Sequence, residues 1–481
     1  MKMVKSLLLG SAAGLVAVAG AHAADLPVKA KAVEYVKVCS TYGAGFYYVP
    51  GTDTCLKLDG YVRFDTYINS VGTFNPAISS VGAVAFNSPG GGTTSVAGFP
   101  FATSDTPDYL TRARAVLGVD TRTATDYGVL RSYIRFGGQW DSQASAGSPA
   151  GGSLYFERAF IQFAGFTFGY TTSFFDTGIN YAMTQLYAGS YQWNTVLGYT
   201  AQFGNGFSAT IALEDAANRV TGVQYSAASF TNNAGGSYTN YQDGQSAPDI
   251  VANLRVDQAW GTAMLSGALH QVSAMTPVNA LTGQNYLGAS TTDSWGWAIG
   301  GSVEFKLPMI SPGDSLYIQA NYADGALSYA GLSGTTQGRA TGLGSISVGG
   351  QANWVSGAYY PIADAVWTGT GFDKESAWAI QAQYRHFWTP GLRSAVFGGY
   401  VAVDVPFNLV KAVNTNIWQV GANTIWSPVK NLDLGVEVLY SKVDGDLPLV
   451  ATGGNATTVP TSIVGGSTDV WSGGFRAQRN F

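Results

Sequence analysis

The sequence predicts an all-β fold, a sixteen-stranded antiparallel transmembrane β-barrel. Three observations predict it: strict alternation of apolar and polar residues in repeated segments, an export signal ahead of them, and an aromatic residue at the C-terminus. In residues 56–69 one face of a strand carries Leu56, Leu58, Val62, Phe64 and Ile68, and the other carries Lys57, Asp59, Arg63, Asp65 and Asn69. Such a strand separates lipid from water, as in a barrel wall whose charged face lines an aqueous lumen.

The first 23 residues predict a cleaved signal peptide. Lys2 and Lys5 precede an apolar run at 7–18, and Ala-His-Ala at 21–23 has the small-x-small pattern of a signal-peptidase site. The mature chain then begins at Ala24 and keeps 23 of the 25 basic residues beside all 30 acidic ones. A mildly acidic exported chain is not expected to bind nucleic acid, because phosphates attract basic surfaces.

Composition separates the barrel from other exported proteins. Charged residues make up 11% of the chain, against roughly 25% in a typical soluble protein. The chain has 62 glycines and 39 tryptophans and tyrosines. After the signal, no apolar run approaches the roughly 18 to 20 residues that a spanning helix needs. The composition therefore favours a β-surface in contact with lipid.

Turn-forming residues divide the chain into sixteen candidate strands within one domain at 56–481, for example 110–122, 129–137, 294–306, 376–388 and 433–443. Seven connections are short, at 126–128, 164–165, 204–206, 260–261, 308–314, 389–391 and 428–431. Eight are long, at 70–108, 137–153, 174–194, 216–247, 272–292, 323–375, 402–414 and 444–467. Short connections at one end and long ones at the other are typical of periplasmic turns and external loops.

The last strand ends on Phe481, which shares a face with Trp471, Phe475 and Arg479. A terminal aromatic residue on the lipid face predicts the recognition signal for outer-membrane assembly. Arg479 stands where such signals usually have another aromatic residue, and its long side chain can reach the headgroups.

Several segments carry a family resemblance. They are 36–57 running into Gly-Tyr-Val-Arg at 60–63, Gly-Val-Asp-Thr-Arg at 118–122 followed by 128–136, 158–169 followed by Ser-Phe-Phe-Asp at 173–176, and the terminal Arg-Asn-Phe. Together they resemble the alphaproteobacterial porin family of Rhizobiales and Brucella, over residues 1–200 and at the C-terminus.

The resemblance implies a homotrimer in the outer membrane of a Gram-negative cell, open to passive diffusion of small hydrophilic solutes and ions. It also implies a third loop, here about 174–194, that folds inward and narrows the lumen. The expected partners are outer-membrane lipid, lipopolysaccharide and the assembly machinery, and no cofactor is expected.

Six arginines are predicted to form a basic wall of the pore. They fall on the polar faces of the first four strands: Arg63, Arg112, Arg114, Arg131, Arg135 and Arg158. Across from them, Asp176 is the acidic residue of the third loop, and the two sides would set up a transverse field. The alternative is that each arginine lies near a rim, beside headgroups or acidic neighbours such as Asp65, Asp120 and Glu157. We favour the wall because a lipid-facing charge near the midplane costs on the order of 2 to 4 kcal/mol.

Cys39 and Cys55 are the only cysteines of an exported chain, so we expect a disulfide. It would hold the segment 24–55 near the periplasmic mouth. A metal site is not expected, since only Asp53 lies close by in the sequence. An enzyme is not expected either, because the mature chain has just His270 and His386, and these are predicted at opposite rims.

Two other functions remain open. A substrate-selective channel would need aromatic residues that descend the lumen, whereas tryptophans such as Trp295, Trp378 and Trp426 lie near strand ends and favour interfacial girdles. A structural or adhesive barrel with a blocked lumen would use the long loop at 323–375.

Overall fold

A computed structural model describes residues 37–68, 86–87, 93–94, 109–142, 151–225, 243–274, 293–332, 363–367, 371–404, 406, 414–445 and 467–481. The predicted signal peptide and most of the predicted external loops lie outside these residues.

Sixteen strands form the barrel, and we number them in chain order. They are β1 Cys55–Ile68, β2 Tyr109–Thr125, β3 Gly128–Asp141, β4 Gly151–Phe163, β5 Phe166–Thr172, β6 Trp193–Gly204, β7 Phe207–Glu214, β8 Asp249–Gln258, β9 Gly261–Ser273, β10 Asp293–Lys306, β11 Ser315–Asp324, β12 Ser376–Thr389, β13 Leu392–Asp404, β14 Thr415–Val429, β15 Leu432–Gly445 and β16 Ser467–Asn480. Each strand pairs antiparallel with the next, and β16 pairs with β1, so the barrel is closed.

The predicted strand number is confirmed, and all seven short connections occur where turn residues predict them. The largest error in a predicted strand boundary is at the third strand. The sequence pattern ends the third strand at Gly137, but β3 continues to Asp141, which pairs with Arg112 on β2. Two adjacent glycines at 137 and 138 interrupt the alternation of side chains, although the backbone ladder runs through them.

The barrel wall is apolar outside and polar inside. On β1, Val62 is 57% exposed while the adjacent Arg63 is 8% exposed and Asp65 is fully buried. The opposite would hold in a soluble sheet, whose apolar face packs on a core. Because the exposed side chains of β1 are apolar, the outer face of this strand suits lipid, as its alternation predicts.

Aromatic residues line the outer face near the strand ends. Ring contacts with centroid distances of 4.9–5.3 Å join neighbouring strands along this line, in the pairs Trp297 with Tyr322, Trp378 with Tyr400, Trp418 with Tyr440, and Tyr440 with Trp471. Amphipathic rings at this level form an interfacial girdle.

The segment before β1 is tied to the barrel. Cys39 and Cys55 form the predicted disulfide, with Cα atoms 6.0 Å apart, and both pack with Phe46. The short strand Tyr47–Tyr48 pairs with the start of β1, after the 3₁₀ turn Ser40–Tyr42. The N-terminal segment is therefore fixed against the first strand.

Smaller elements occupy the loops. Val223–Tyr225, Ala365–Trp367 and Phe372–Lys374 form a three-stranded sheet, and Phe86–Asn87 pairs with Thr93–Thr94. Within the described residues, two further 3₁₀ turns are Ala216–Asn218 and Leu327–Ala330. Among the described residues, no helix has the length and apolarity to span a bilayer.

Candidate functional site: the inner wall and the loop packed against it

The β5–β6 loop, residues 173–192, packs against the inner face of the barrel. It begins beside β7 and β8, where the Phe174 N–H donates to Glu214 Oε1 at 2.7 Å and Asn253 Nδ2 donates to the Phe174 carbonyl at 2.6 Å. Both partners belong to the buried face of their strands, which alternates with exposed apolar side chains such as Leu213 and Leu254. The loop therefore starts inside the wall rather than outside it.

The loop then reaches strands far along the barrel. The Tyr181 N–H donates to Gln383 Oε1 on β12, and the Tyr187 N–H donates to Gln419 Oε1 on β14, each at 2.6 Å. Residues 182–190 are all buried. Inward-facing amides of the wall thus satisfy loop N–H groups that a buried loop would otherwise leave without partners.

Glu437 on β15 is the most heavily used anchor of the loop. Its two carboxylate oxygens accept the N–H groups of Met183 and Thr184, the Thr184 hydroxyl, and Asn423 Nδ2 at 2.9 Å. The side chain is 8% exposed. Hydrogen bonds to an ionised acceptor are stronger than neutral ones, so this carboxylate holds the loop firmly.

Glycines on the wall make room for the loop. A Cβ atom on Gly399 of β13 would lie 2.7 Å from Ala188 Cβ, and one on Gly435 of β15 would lie 2.8 Å from Met183 Sδ. Any larger residue at these positions would displace the loop toward the centre of the barrel.

Asp176 lies between the loop and β11 and is 8% exposed. Its Oδ1 accepts the Gly178 N–H at 2.5 Å, and its Oδ2 accepts Ser190 Oγ at 2.5 Å and Gln319 Nε2 at 2.9 Å. With both oxygens bound and the side chain buried, Asp176 faces the wall behind the loop. In this position it fixes the shape of the loop.

Tyr181 links the loop to β10 and β11. Its hydroxyl donates to Glu304 Oε1 at 2.6 Å and accepts from Ser315 Oγ at 2.7 Å. Burial, together with the hydrogen bond to the Glu304 carboxylate, raises the pKa of this phenol above its ordinary value. It therefore remains a neutral donor.

The six predicted wall arginines lie on β1 to β4, across the barrel from the anchors on β10 to β12, while the Glu437 anchor on β15 is only two strands from β1. The register sets three pairs of arginines directly across from each other: Arg63 with Arg114, Arg122 with Arg131, and Arg135 with Arg158. Arg112 lies opposite Asp65 on one side and Asp141 on the other. The structure therefore brings all six together on one continuous patch of wall.

Four of the six form ion pairs with carboxylates. Arg63 lies 2.7 Å from Asp65, Arg112 lies 2.5 Å from Asp141, Arg131 lies 2.9 Å from Asp120, and Arg135 lies 3.0 Å from Glu157. The acidic neighbours considered in the sequence thus do pair with the arginines, but on the inner face of the barrel. The pairing reduces the net charge of the wall without removing its basic excess.

The other two, Arg114 and Arg158, have neutral partners. Arg114 donates from Nε to Gln139 Oε1 at 3.0 Å, and Nη2 donates to the same oxygen. Arg158 donates to Thr172 Oγ1 at 2.7 Å and to the Glu157 carbonyl at 2.5 Å.

A β-bulge in β4 places two consecutive charged side chains, Glu157 and Arg158, on the inner face of the wall. The register with β3 shifts so that Arg135 pairs with Arg158 while Phe136 pairs with Phe156, which leaves Glu157 without a cross-strand partner. A bulge lets two consecutive residues point to the same side. Glu157 and Arg158 therefore both reach the interior, where Glu157 accepts the Tyr61 hydroxyl at 2.8 Å.

Sequence reasoning missed three residues of this region. Arg122 shares Asp120 with Arg131, and Arg476 on β16 lies 2.6 Å from Asp65. Glu437, the loop anchor, is the third. The position of Arg122, an even number of residues from Arg112 and Arg114, was a sufficient signal, since all three share a face of β2.

The two histidines form structural pairs. His270 Nδ1 lies 2.7 Å from Asp249 near the outer end of β9, and His386 Nδ1 lies 2.7 Å from Asp314 beside a short turn. They lie at opposite ends of the barrel, and both imidazoles are committed to an aspartate.

Phe481 packs against the first strand. Its backbone N–H donates to the Gly60 carbonyl at 3.0 Å, and a Cβ on Gly60 would lie 2.6 Å from the phenyl ring. The ring remains 57% exposed on the outer face. This placement suits the predicted assembly signal, which remains a prediction.

The comparisons with known proteins agree with this architecture. The sequence matches the profile of the porin subfamily over residues 25–473. It is 35% identical over 277 residues to porin Omp2b of Brucella canis, and 34% identical over 277 residues to porin Omp2b of Brucella abortus. Each alignment covers 54% of this chain and 64% of the relative, so less than two thirds of these relatives is matched.

Among solved structures, the outer membrane channel DcaP of Acinetobacter baumannii superimposes with a TM-score of 0.56. The match covers 90% of this chain and 99% of that chain at 18% sequence identity, and it shows a shared fold. The subfamily profile runs from the N-terminal segment into β16, so it takes in nearly the whole barrel. The barrel lies in the outer membrane, and the chain belongs to the porin subfamily.

Proposed function

We propose that the protein is a water-filled channel for passive diffusion of small hydrophilic solutes and ions. The difference in exposure between the two sides of the inner wall carries this proposal. On β3, the Arg131 and Arg135 side chains are 26% and 29% exposed, whereas Gln419 on β14 is 3% exposed beneath the loop. The loop covers Gln419, and Arg131 and Arg135 remain accessible to water, whereas Arg63 and Arg112 are buried within the wall.

In this proposal the β5–β6 loop is the constriction, and Arg63, Arg112, Arg114, Arg131, Arg135 and Arg158 line the path beside it. The inner charges of β1 to β4 include five carboxylates, Asp59, Asp65, Asp120, Asp141 and Glu157, against those six arginines, Arg122 and Lys57. The basic excess orients dipolar solutes and disfavours apolar ones. Asp176 contributes by fixing the loop at the opposite side.

Transport of this kind needs no chemistry, so we propose neither catalysis nor a cofactor. Solutes move down their own gradient. The paired histidines and the anchored loop serve the architecture of the channel.

We further propose a homotrimer, surrounded by outer-membrane lipid and lipopolysaccharide and inserted by the assembly machinery. The outer face of β2 to β4 supports a subunit interface, because small residues form a shallow groove between exposed apolar side chains. The groove includes Ala113, Ala115, Gly138 and Gly152, beside Leu154, which is 88% exposed. We expect Leu154→Arg to convert unheated trimers into monomers in native mass measurements, while Leu197→Arg on β6 leaves the trimer intact.

Single-channel recording of the refolded protein in a planar bilayer tests the channel. Stable conductance steps that occur in threes are expected from an open trimer. Folded protein, identified by its altered mobility on unheated gels, that gives no steps would refute the channel and favour a structural or adhesive barrel. A current that one solute alone carries, and that saturates with the concentration of that solute, would instead indicate a substrate-selective channel.

A further inference from the structure

The three opposed arginine pairs on β1 to β4 are the starting point. Like charges directly opposite each other on neighbouring strands destabilise a sheet, so each pair requires compensation. Each pair has one carboxylate that binds at least one of its two arginines. The carboxylate is Asp65 for the pair Arg63 and Arg114, Asp120 for Arg122 and Arg131, and Glu157 for Arg135 and Arg158.

The three carboxylates are not shared in the same way. Asp120 binds both of its arginines, Arg122 and Arg131, each at 2.9 Å. Asp65 binds Arg63 at 2.7 Å and turns its other oxygen to Arg476. Glu157 binds Arg135 at 3.0 Å. Arg114 and Arg158 are therefore left out, and within the described part of the chain neither forms an ion pair.

Both guanidinium groups keep unused donors. A guanidinium carries five N–H groups. Arg114 uses Nε and Nη2 on a single oxygen of Gln139, which leaves the edge formed by Nη1 and Nη2. Arg158 donates to the Glu157 carbonyl, Thr172 Oγ1 and, at 3.5 Å, the Tyr191 hydroxyl, so two donors remain.

Aromatic rings hold both groups in place. The Arg114 guanidinium lies 5.1 Å from the centroid of Tyr155, and that of Arg158 lies 4.7 Å from the centroid of Trp193. At Arg114 the stacked face is covered and the Nη1–Nη2 edge is free, and such an edge binds a carboxylate with two parallel hydrogen bonds. At Arg158 both hydrogens of Nη2 are used, so the remaining donors on Nε and Nη1 lie on different edges and each can make a single hydrogen bond.

We infer that Arg114 and Arg158 are two successive binding positions for the carboxylate groups of small anionic solutes, an inference that rests on the proposed channel. In register terms their Cα atoms lie two strands and four residues apart, which corresponds to roughly 17 Å. This separation is too large for one small dicarboxylate to bridge. The two arginines therefore act as separate steps along the path.

Malonate block of the chloride current tests the inference. The refolded full-length protein is recorded in potassium chloride while potassium malonate is added, with glycerol as the neutral solute. We expect malonate to reduce the current saturably and glycerol to leave it unchanged. In Arg114→Gln and in Arg158→Gln the half-blocking concentration should rise roughly tenfold, the effect of losing charge-assisted hydrogen bonds.

Arg122→Gln is the matched control, since it removes the same charge from the same wall but from a pair whose carboxylate is already shared. Its half-blocking concentration should stay within about twofold of wild type, below the effect of one charge-assisted hydrogen bond. Arg114→Lys adds a second test, because it keeps the charge and loses the planar fork. It should weaken the block while leaving the reversal potential in a salt gradient unchanged.

The outcomes separate the inference from the function. Steady conductance without malonate block, or an equal shift in Arg122→Gln, would overturn the binding positions and leave the channel standing. Folded protein without conductance would overturn both.

Discussion

Glu437 offers the sharpest test of how the β5–β6 loop is held. Four donors converge on its carboxylate, three from the loop residues Met183 and Thr184 and one from Asn423 on the neighbouring strand. Glu437→Gln preserves the size of the side chain and changes what it accepts. We expect the barrel to form normally and the loop to become loose.

The size of the effect follows from the hydrogen bonds. Glutamine keeps one acceptor oxygen and replaces the other with an NH₂ group, so two of the four donors lose their acceptor. Each hydrogen bond to a charged group contributes roughly 1.5 kcal/mol at the lower end of its range, which gives about 3 kcal/mol for two. The ratio of docked to undocked loop then falls roughly a hundredfold.

Open-channel recording measures this ratio. Brief departures from the main current level should occupy a far larger share of the recording time in Glu437→Gln than in wild type, and the voltage that closes the channel should fall. Glu304→Gln is the control, because its single loop contact, from the Tyr181 hydroxyl, can be accepted by an amide oxygen. Equal current records for wild type and Glu437→Gln would refute the anchoring role.

Three further changes have defined outcomes. Gly399→Val should lower the conductance, because a Cβ at this position would lie 2.7 Å from Ala188 and push the loop into the open lumen. Gly301→Val should leave the conductance unchanged, because a Cβ there has no atom closer than 4.0 Å. Burial raises the pKa of the Glu375 carboxyl well above its ordinary value, so the folded state binds the extra proton and the free energy of unfolding should fall as pH rises above about 4.5. Glu375→Gln should remove that decline in urea titrations, and an unchanged pH profile would contradict it. Replacing Cys39 and Cys55 by serine should lower the free energy of unfolding by roughly 3 kcal/mol, as expected for a loop of this length. Reductant should shift the urea midpoint of wild type but not that of the serine variant.

Much of the barrel could be predicted from the sequence because strand periodicity is local. Alternation in 56–69 is enough to predict which side of β1 is exposed, and turn residues predict where the strands end. The same parity predicts that Arg112 and Arg114 share a face on β2. The rule applies to the wall arginines on β1 to β3, whereas Arg158 on β4 lies beside a bulge that breaks it.

The partners of those arginines depend on information that is not local. The register decides that Arg63 meets Arg114, and the shear of the whole barrel sets the register. At Glu157 a bulge interrupts the alternation of inward and outward side chains. Strict alternation would therefore place either Glu157 or Arg158 on the outer face, although both point inward. The contacts of the loop are even harder to predict, since Glu437, the acceptor for the Thr184 N–H, is 253 positions away in the sequence.

The pairing of Asp65 has a consequence for how the chain is made. This carboxylate is completely buried between Arg63 on its own strand and Arg476, which is synthesised 411 positions later. Until the last strand pairs with β1, Asp65 lacks its contact with Arg476, and Gly60 lacks its hydrogen bonds with Phe481. Pairing of β16 with β1 therefore closes the barrel and, in the same step, completes the ion pairing of Asp65. A chain that lacks the last strand therefore leaves the Asp65 carboxylate without its partner Arg476.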